Sequence, residues 1–132
     1  MKQAEIKIIV ISFIIFILLD ALFIYVNRNI FLKNIGNVLK EPIKLDLLSM
    51  IIAYSFLYGG FYFFIINQNS PIYHAFILGM VINGTYEFTN RSIIKDWPLY
   101  TSLIDTLWGG ILFSTTTYLT YKIKNNDFKI SF

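Results

Sequence analysis

Long runs of apolar residues, separated by short polar stretches, divide the chain into four segments. About 20 apolar residues are needed to cross the ~30 Å hydrocarbon core of a bilayer. The pattern predicts four helices, near residues 6–27, 45–67, 71–91 and 98–122. Because the connections that follow the second and third helices are short, these helices should pack as antiparallel neighbours. We therefore predict an all-α polytopic membrane protein, a four-transmembrane-helix antiparallel bundle in which residues 1–132 form a single domain.

The two ends of the chain and the first loop each allow a second structural interpretation. Lys2 and Lys7 precede an apolar run, as in a signal peptide, but no small-x-small cleavage site follows, which favours an uncleaved helix. Residues 29–40 carry apolar residues at helical spacing, which is typical of a short interfacial helix, although an ordinary basic loop explains them equally well. The tail at residues 123–132 is polar and mildly basic, and we expect it to be flexible.

Composition supports a membrane protein and excludes several other classes. Of the 132 residues, 56% are hydrophobic and 14% are charged, whereas about 25% are charged in typical soluble domains. The chain has no cysteine, which excludes disulfides, thiolate metal sites and thiol nucleophiles. The net charge of +3 is scattered among loops, so we expect the lipid bilayer as partner and no nucleic acid. Lys and Arg are balanced between the two predicted sides, so the positive-inside rule does not set the orientation.

Three carboxylates lie within the predicted spans: Asp20, Glu87 and Asp105. Asp20 and Asp105 are each six residues from the same end of the bundle, or roughly 9 Å below that surface at 1.5 Å per residue. Glu87 is somewhat closer to it. The spacing therefore predicts that the three acids share one polar cavity, open to the side that carries the loops at 27–44 and 89–98.

An ionised acid at the centre of a membrane helix costs about 2.5–3.5 kcal/mol. Three unpaired carboxylates in one layer would also repel each other, so at least one should be protonated, paired with a nearby cation, or bound to a cationic ligand. The candidate cations are Arg28, Arg91 and Lys95. The structural alternative is that the acids only bridge helices as buried hydrogen-bond struts.

Neighbouring positions extend this candidate site, and several of them share a helix face with one of the acids. The ligand or ion-binding candidates are Asp20, Tyr86, Glu87, Thr89, Asn90, Asp105 and Trp108, with Asn83, Arg91, Trp97 and Thr101 in support. The single histidine, His74, lies at the opposite end of its helix, so we predict no metal site of the zinc type. The sequence contains no motif that identifies a cofactor.

Small residues and tyrosines mark the predicted helix contacts. Ser55 and Gly59 form a small-x-x-x-small pair, and Gly59-Gly60 and Gly109-Gly110 favour close helix approach or a bend. Three tyrosines, at positions 54, 58 and 62, share one face of the second helix. They fit helix packing or, alternatively, the lining of a conduit.

The order of these motifs resembles that of a bacterial family, domain of unknown function 2177, whose members are four-helix predicted membrane proteins. The resemblance covers about residues 10–121 and rests on Tyr-Glu-x-Thr-Asn at 86–90, Trp-Pro at 97–98 and Asp-x-x-Trp-Gly at 105–109. The family usually has Tyr-Asp-Leu-Thr-Asn in the third helix, so Glu87 and Phe88 depart from it, and the carboxylate of Glu87 reaches one methylene further. The resemblance implies an integral, multi-pass membrane protein and no particular activity.

The sequence leaves three classes of function open. The first is a small protein that binds or conducts a proton, a cation or a small polar or cationic ligand at the acids. The second is a membrane-embedded enzyme that acts on lipid, with Glu87 and Asp105 as an acid and base pair, although no nucleophile or metal set is evident. The third is a structural subunit, either of a homo-oligomer or of a larger membrane partner.

Overall fold

The computed structural model describes residues 2–40 and 44–130, and this part of the chain forms four α-helices. They are α1 (Gln3–Leu39), α2 (Leu47–Phe61), α3 (Ile72–Ile93) and α4 (Leu99–Ile130), and a π-helical turn (Tyr62–Ile66) extends α2. The all-α prediction is therefore confirmed. The hydrogen bond from the Ser49 hydroxyl to Asp46, just before α2, lowers the pKa of that carboxyl below its usual value.

Two helices are longer than the apolar runs that predicted them. α1 continues without a break to Leu39, so residues 29–40 are not a separate interfacial helix. It ends where Lys40 adopts a left-handed conformation, with φ 58°, and donates its backbone N–H to the carbonyl of Gly36. α4 continues to Ile130, so the expected flexible tail is helical to that point, and the last two residues of the expected tail lie outside the described residues. No proline lies between Ser102 and Ile130, and the polar residues near the end of the chain do not stop the helix by themselves.

The closest packing in the described structure is between α3 and α4. A Cβ atom added at Gly79 would lie 1.9 Å from the carbonyl oxygen of Gly109, and one added at Gly109 would lie 2.3 Å from the carbonyl oxygen of Gly79. Only glycine fits such a backbone contact. The close approach that we predicted for the Gly109-Gly110 pair is thus present, and it brings the polar faces of α3 and α4 together.

α2 packs less closely than its short connection to α3 suggested. Nothing lies within 4 Å of a Cβ atom added at Gly59 or Gly60, so these glycines mediate no close helix contact in the described chain. Aromatic side chains make the contact instead: Phe61 lies 5.5 Å from Phe16 and 4.9 Å from Phe113, measured between ring centroids. Their bulk keeps the α2 backbone away from its neighbours.

The distribution of polar and apolar side chains is the reverse of that in a water-soluble protein. Buried positions include many polar or charged side chains, namely Ser12, Asp20, Glu87, Thr101, Ser102, Thr116, Thr117 and Thr120. Large apolar side chains cover the outside, and Phe56 for example is 80% exposed. Within the described residues, two helical segments, Gln3–Leu39 and Leu47–Ile66, are long and apolar enough to cross a membrane. The polar residues of α3 and α4 that face each other lower the hydropathy of those two helices.

Candidate functional site

Glu87 is buried between the end of α3 and the start of α4. It is 4% exposed, and its Oε2 atom accepts hydrogen bonds from the Trp97 indole at 2.8 Å and from the Ser102 hydroxyl at 3.1 Å. Trp97 lies in the α3–α4 loop and Ser102 in the first turn of α4. The hairpin therefore folds two neutral donors onto one carboxylate oxygen.

Asp105 lies beside Glu87, one turn further along α4. The two side chains are within hydrogen-bonding distance of each other, and Asp20 is close enough to interact with Asp105 electrostatically. The Asn83 amide donates to the backbone carbonyl of Asp105 at 3.0 Å. This bond and the glycine contact one turn away fix the depth at which α4 meets α3, and thus the separation of the two carboxyl groups.

Asp20 joins this pair from α1. Its Oδ1 atom accepts a hydrogen bond from the Trp108 indole at 2.9 Å, and its Oδ2 atom accepts one from the Tyr54 hydroxyl. The Trp108 ring is stacked on Phe23, with 4.4 Å between ring centroids and 4° between planes. All four helices thus contribute to one group of buried and half-buried side chains, which we call the carboxyl cluster: Asp20, Glu87 and Asp105 with the donors Tyr54, Trp97, Ser102 and Trp108.

The donors to the carboxyl cluster are neutral. Arg91 donates to the backbone carbonyl of Trp97 at 2.6 Å, and Arg28 donates to the carbonyl of Tyr25 at 2.7 Å. Across the described residues, no lysine or arginine forms an ion pair with Asp20, Glu87 or Asp105. Arg91 therefore supports the cluster indirectly, because it holds the backbone of the residue that binds Glu87.

The described residues contain no group of three or more His, Cys, Asp or Glu side chains arranged to hold a metal ion. Three of the six carboxylate oxygens in the cluster accept hydrogen bonds from the tryptophan, tyrosine and serine donors.

The structure brings some predicted site residues together and leaves others apart. Asp20, Glu87, Trp97, Asp105 and Trp108 meet in the cluster. Asn83 and Arg91 support it through the backbone carbonyls of Asp105 and Trp97. Thr101 is buried but accepts its hydrogen bond from Asn34, at 3.2 Å. Asn90 is half-buried, and its backbone carbonyl accepts from Ile94 at the end of α3.

Tyr86 and Thr89 do not join the cluster. Tyr86 is 58% exposed, and Thr89 is also exposed. Successive residues of an α-helix point about 100° apart because one turn holds 3.6 residues. The contact through Gly79 and Asn83 turns Glu87 toward α4, which directs the preceding side chain outward. The structure thus places these two candidates outside the carboxyl cluster.

Two donors of the cluster were absent from the sequence-based candidates. Tyr54 belonged to the tyrosine stripe of the second helix, but the pattern could not tell which tyrosine reaches an acid. Ser102 lies three residues before Asp105 and hence on the same helix face, which was a usable signal. Serine is so common beside helix starts that the position did not stand out.

Two features set the limits of the cluster along the bundle. Phe16, Phe61 and Phe113 are fully buried and pack together on the side of the cluster toward the chain termini. On the other side, a polar cavity of about 580 Å³ lies in the α3–α4 loop and is lined by residues 91–98. Trp97 lines this cavity and also donates to Glu87. The Trp97 indole ring thus links the acids to the loop cavity.

Comparison with known proteins agrees with this architecture. Residues 5–122 match the family described as "Predicted membrane protein (DUF2177)". The chain belongs to the DUF2177 family. The resemblance predicted from the sequence is confirmed, and the match includes every member of the carboxyl cluster. No curated protein and no solved structure matches the DUF2177 chain.

Proposed function

We propose that this protein crosses the membrane four times and binds a proton at the carboxyl cluster, in exchange with the side that carries the α3–α4 loop. The apolar exterior and the polar interior support four spans, because the faces of α3 and α4 that carry polar residues are buried against each other. In this arrangement, both termini lie on the side opposite the α3–α4 loop.

The observation that carries the proposal is the side-chain contact between Glu87 and Asp105. Two ionised carboxylates have only acceptor atoms, so a hydrogen bond between them requires one proton. Like charges at that distance also repel strongly in a site of low dielectric constant. Since the other donors are neutral, a proton shared by the pair is the simplest way to reduce the charge of the cluster.

The surroundings of the cluster support binding and exchange over conduction through the protein. The fully buried rings of Phe16, Phe61 and Phe113 pack against each other on the side of the acids toward the termini. Trp97 lines the loop cavity and donates its indole N–H to Glu87. A movement of this side chain would open a route from the acids to water on the side of the α3–α4 loop.

Tryptophan fluorescence tests the proposal directly. The chain has two tryptophans, and each donates its indole N–H to a cluster carboxylate. Their emission should therefore change as the cluster gains or loses its proton. We expect the purified protein in detergent to show a pH-dependent change in emission, and Asp105→Asn to abolish it.

Asp96→Asn provides the matched control. Asp96 is exposed, precedes Trp97 and has φ 64°, a conformation that asparagine also tolerates. This variant should keep the transition of the wild type. Loss of the transition in both variants, or its persistence in Asp105→Asn, would contradict a proton site at the cluster. The acids would then serve only as hydrogen-bond struts between helices.

Two further measurements distinguish the related functions. A transition midpoint that shifts with the concentration of sodium or methylammonium ions would show that a cation competes for the proton site. Proton flux into liposomes should stay near background if the aromatic rings close the bundle. Proton flux above background in the wild type that disappears in Asp105→Asn would show that the protein conducts protons and does not only bind them.

A further inference from the structure

A second cavity lies between α1 and α2 on the lipid-facing side of the bundle. It has a volume of about 850 Å³ and is lined almost entirely by apolar side chains of the two helices. Cavities that bind small molecules typically measure about 300–1,000 Å³. The loose packing of α2 creates this groove, since Gly59 lines it and has nothing within 4 Å of its Cβ position.

The groove runs from the middle of the bundle to the end near the α1–α2 connection. Phe13 lines its inner end and Arg28 its outer end, and 15 residues of helix correspond to about 22 Å. On α2, the outer end is lined by Met50, three residues from the helix start. One leaflet contributes half of a hydrocarbon core of ~30 Å. The groove is thus as deep as one leaflet, with some length left for the headgroup layer.

Arg28 gives the outer end of the groove a positive charge. Its guanidinium group lies 4.1 Å from the centre of the Tyr25 ring and donates one hydrogen bond, to the Tyr25 carbonyl. In the described part of the chain, Arg28 pairs with no carboxylate. A guanidinium group has five N–H donors and a geometry that matches phosphate. Its long side chain can keep the charge at the headgroup level while its stem stays in apolar surroundings.

We propose that this groove binds one anionic phospholipid, with an acyl chain between α1 and α2 and the phosphate at Arg28. The inference does not depend on the proton site. It does connect to it in space, because Tyr54 lines the groove and donates to Asp20. A bound lipid would also fill the gap beside Gly59, and would therefore stabilise the contact of α2 with α1.

The test is lipid binding by the full chain, measured by native mass spectrometry in detergent. We expect saturable binding of phosphatidylglycerol that is stronger than binding of phosphatidylcholine. Arg28→Gln should weaken phosphatidylglycerol binding about tenfold or more, because a hydrogen bond to a charged group is lost. Lys33→Gln removes an exposed cation of the same helix outside the groove. This control should preserve the affinity of the wild type within about twofold.

A second pair of variants tests the position of the acyl chain. Gly59→Leu places a side chain in the groove and should weaken the binding of both lipids, whereas Gly60→Leu lies beside the groove and should not. Thermal melting without lipid checks that each variant is folded. If Gly59→Leu does not fold, the comparison of Arg28→Gln with the wild type tests lipid binding on its own. Equal affinity for the two lipids in the wild type, or an Arg28→Gln variant that binds like the wild type, would overturn the proposal. So would a dimer whose formation excludes lipid, since a second copy would then occupy the groove.

Discussion

The backbone contact between Gly79 and Gly109 should be the point at which the bundle tolerates substitution least. In Gly79→Ala, the new Cβ atom would lie 1.9 Å from the carbonyl oxygen of Gly109, whereas ordinary contacts begin at 3.4 Å. Both atoms belong to, or are fixed by, helix backbone, so no side chain can move aside. The helices must separate by roughly 1.5 Å at this point, and forced separation of a packed interface costs about 1–3 kcal/mol.

A matched control removes the effect of helix propensity. Alanine is favoured over glycine inside a helix by roughly 0.5–1 kcal/mol, and this gain applies to Gly79→Ala and Gly60→Ala alike. Nothing lies within 4 Å of the Cβ position at Gly60. The difference in the free energy of unfolding between the two variants should therefore be about 1–3 kcal/mol, with Gly60→Ala the more stable.

Thermal melting in detergent, followed by tryptophan fluorescence, measures this difference. The same separation should lengthen the bond from Asn83 to the Asp105 carbonyl, which is 3.0 Å in the wild type, so Gly79→Ala should also disturb the pH-dependent emission. If the two alanine variants melt at the same temperature, the close contact of α3 and α4 is wrong. The account of how Glu87 and Asp105 meet would then fail with it.

Two other predictions concern single hydrogen bonds. Trp97→Phe removes the donor to Glu87 and should lower the free energy of unfolding by about 1–3 kcal/mol. In a double-mutant cycle, this cost should be smaller when Glu87→Gln is already present. An unchanged cost would show that the two side chains do not interact. Among the described residues no partner lies near the buried Thr116 hydroxyl, whereas the Thr117 hydroxyl donates to the Phe113 carbonyl at 2.7 Å. Thr116→Val should therefore raise the melting temperature relative to Thr117→Val, and the opposite order would refute this assignment.

The sequence was sufficient for the number of helices and for the common level of the bundle at which the three acids lie, because both follow from the length of the apolar runs and the fixed rise of a helix. Helix ends were less predictable. The apolar run of α1 stops near residue 27, but no proline follows before Lys40. The helix therefore continues where a neighbouring helix packs against it. Asn34, for example, reaches Thr101 on α4.

Rotation about the helix axis was the hardest property to predict. Tyr86 and Glu87 both fit a polar face by spacing, and only the backbone contact at Gly79 shows which of them points inward. The same limit hid Tyr54, since three tyrosines share its face of α2 and the sequence does not show how far α2 stands from α1. Small residues also proved ambiguous: Gly109 marks a close contact, whereas Gly59 borders a groove.

Infrared spectroscopy of the carboxyl groups tests the central claim most directly, since a protonated carboxyl group has a C=O stretch that is distinct from the bands of a carboxylate. At neutral pH, where exposed acids are ionised, the wild-type protein should show one such band from the pair Glu87 and Asp105. The band should disappear in Asp105→Asn and persist in Asp96→Asn. Absence of the band in the wild type, or its persistence in Asp105→Asn, would contradict a proton shared between these two side chains.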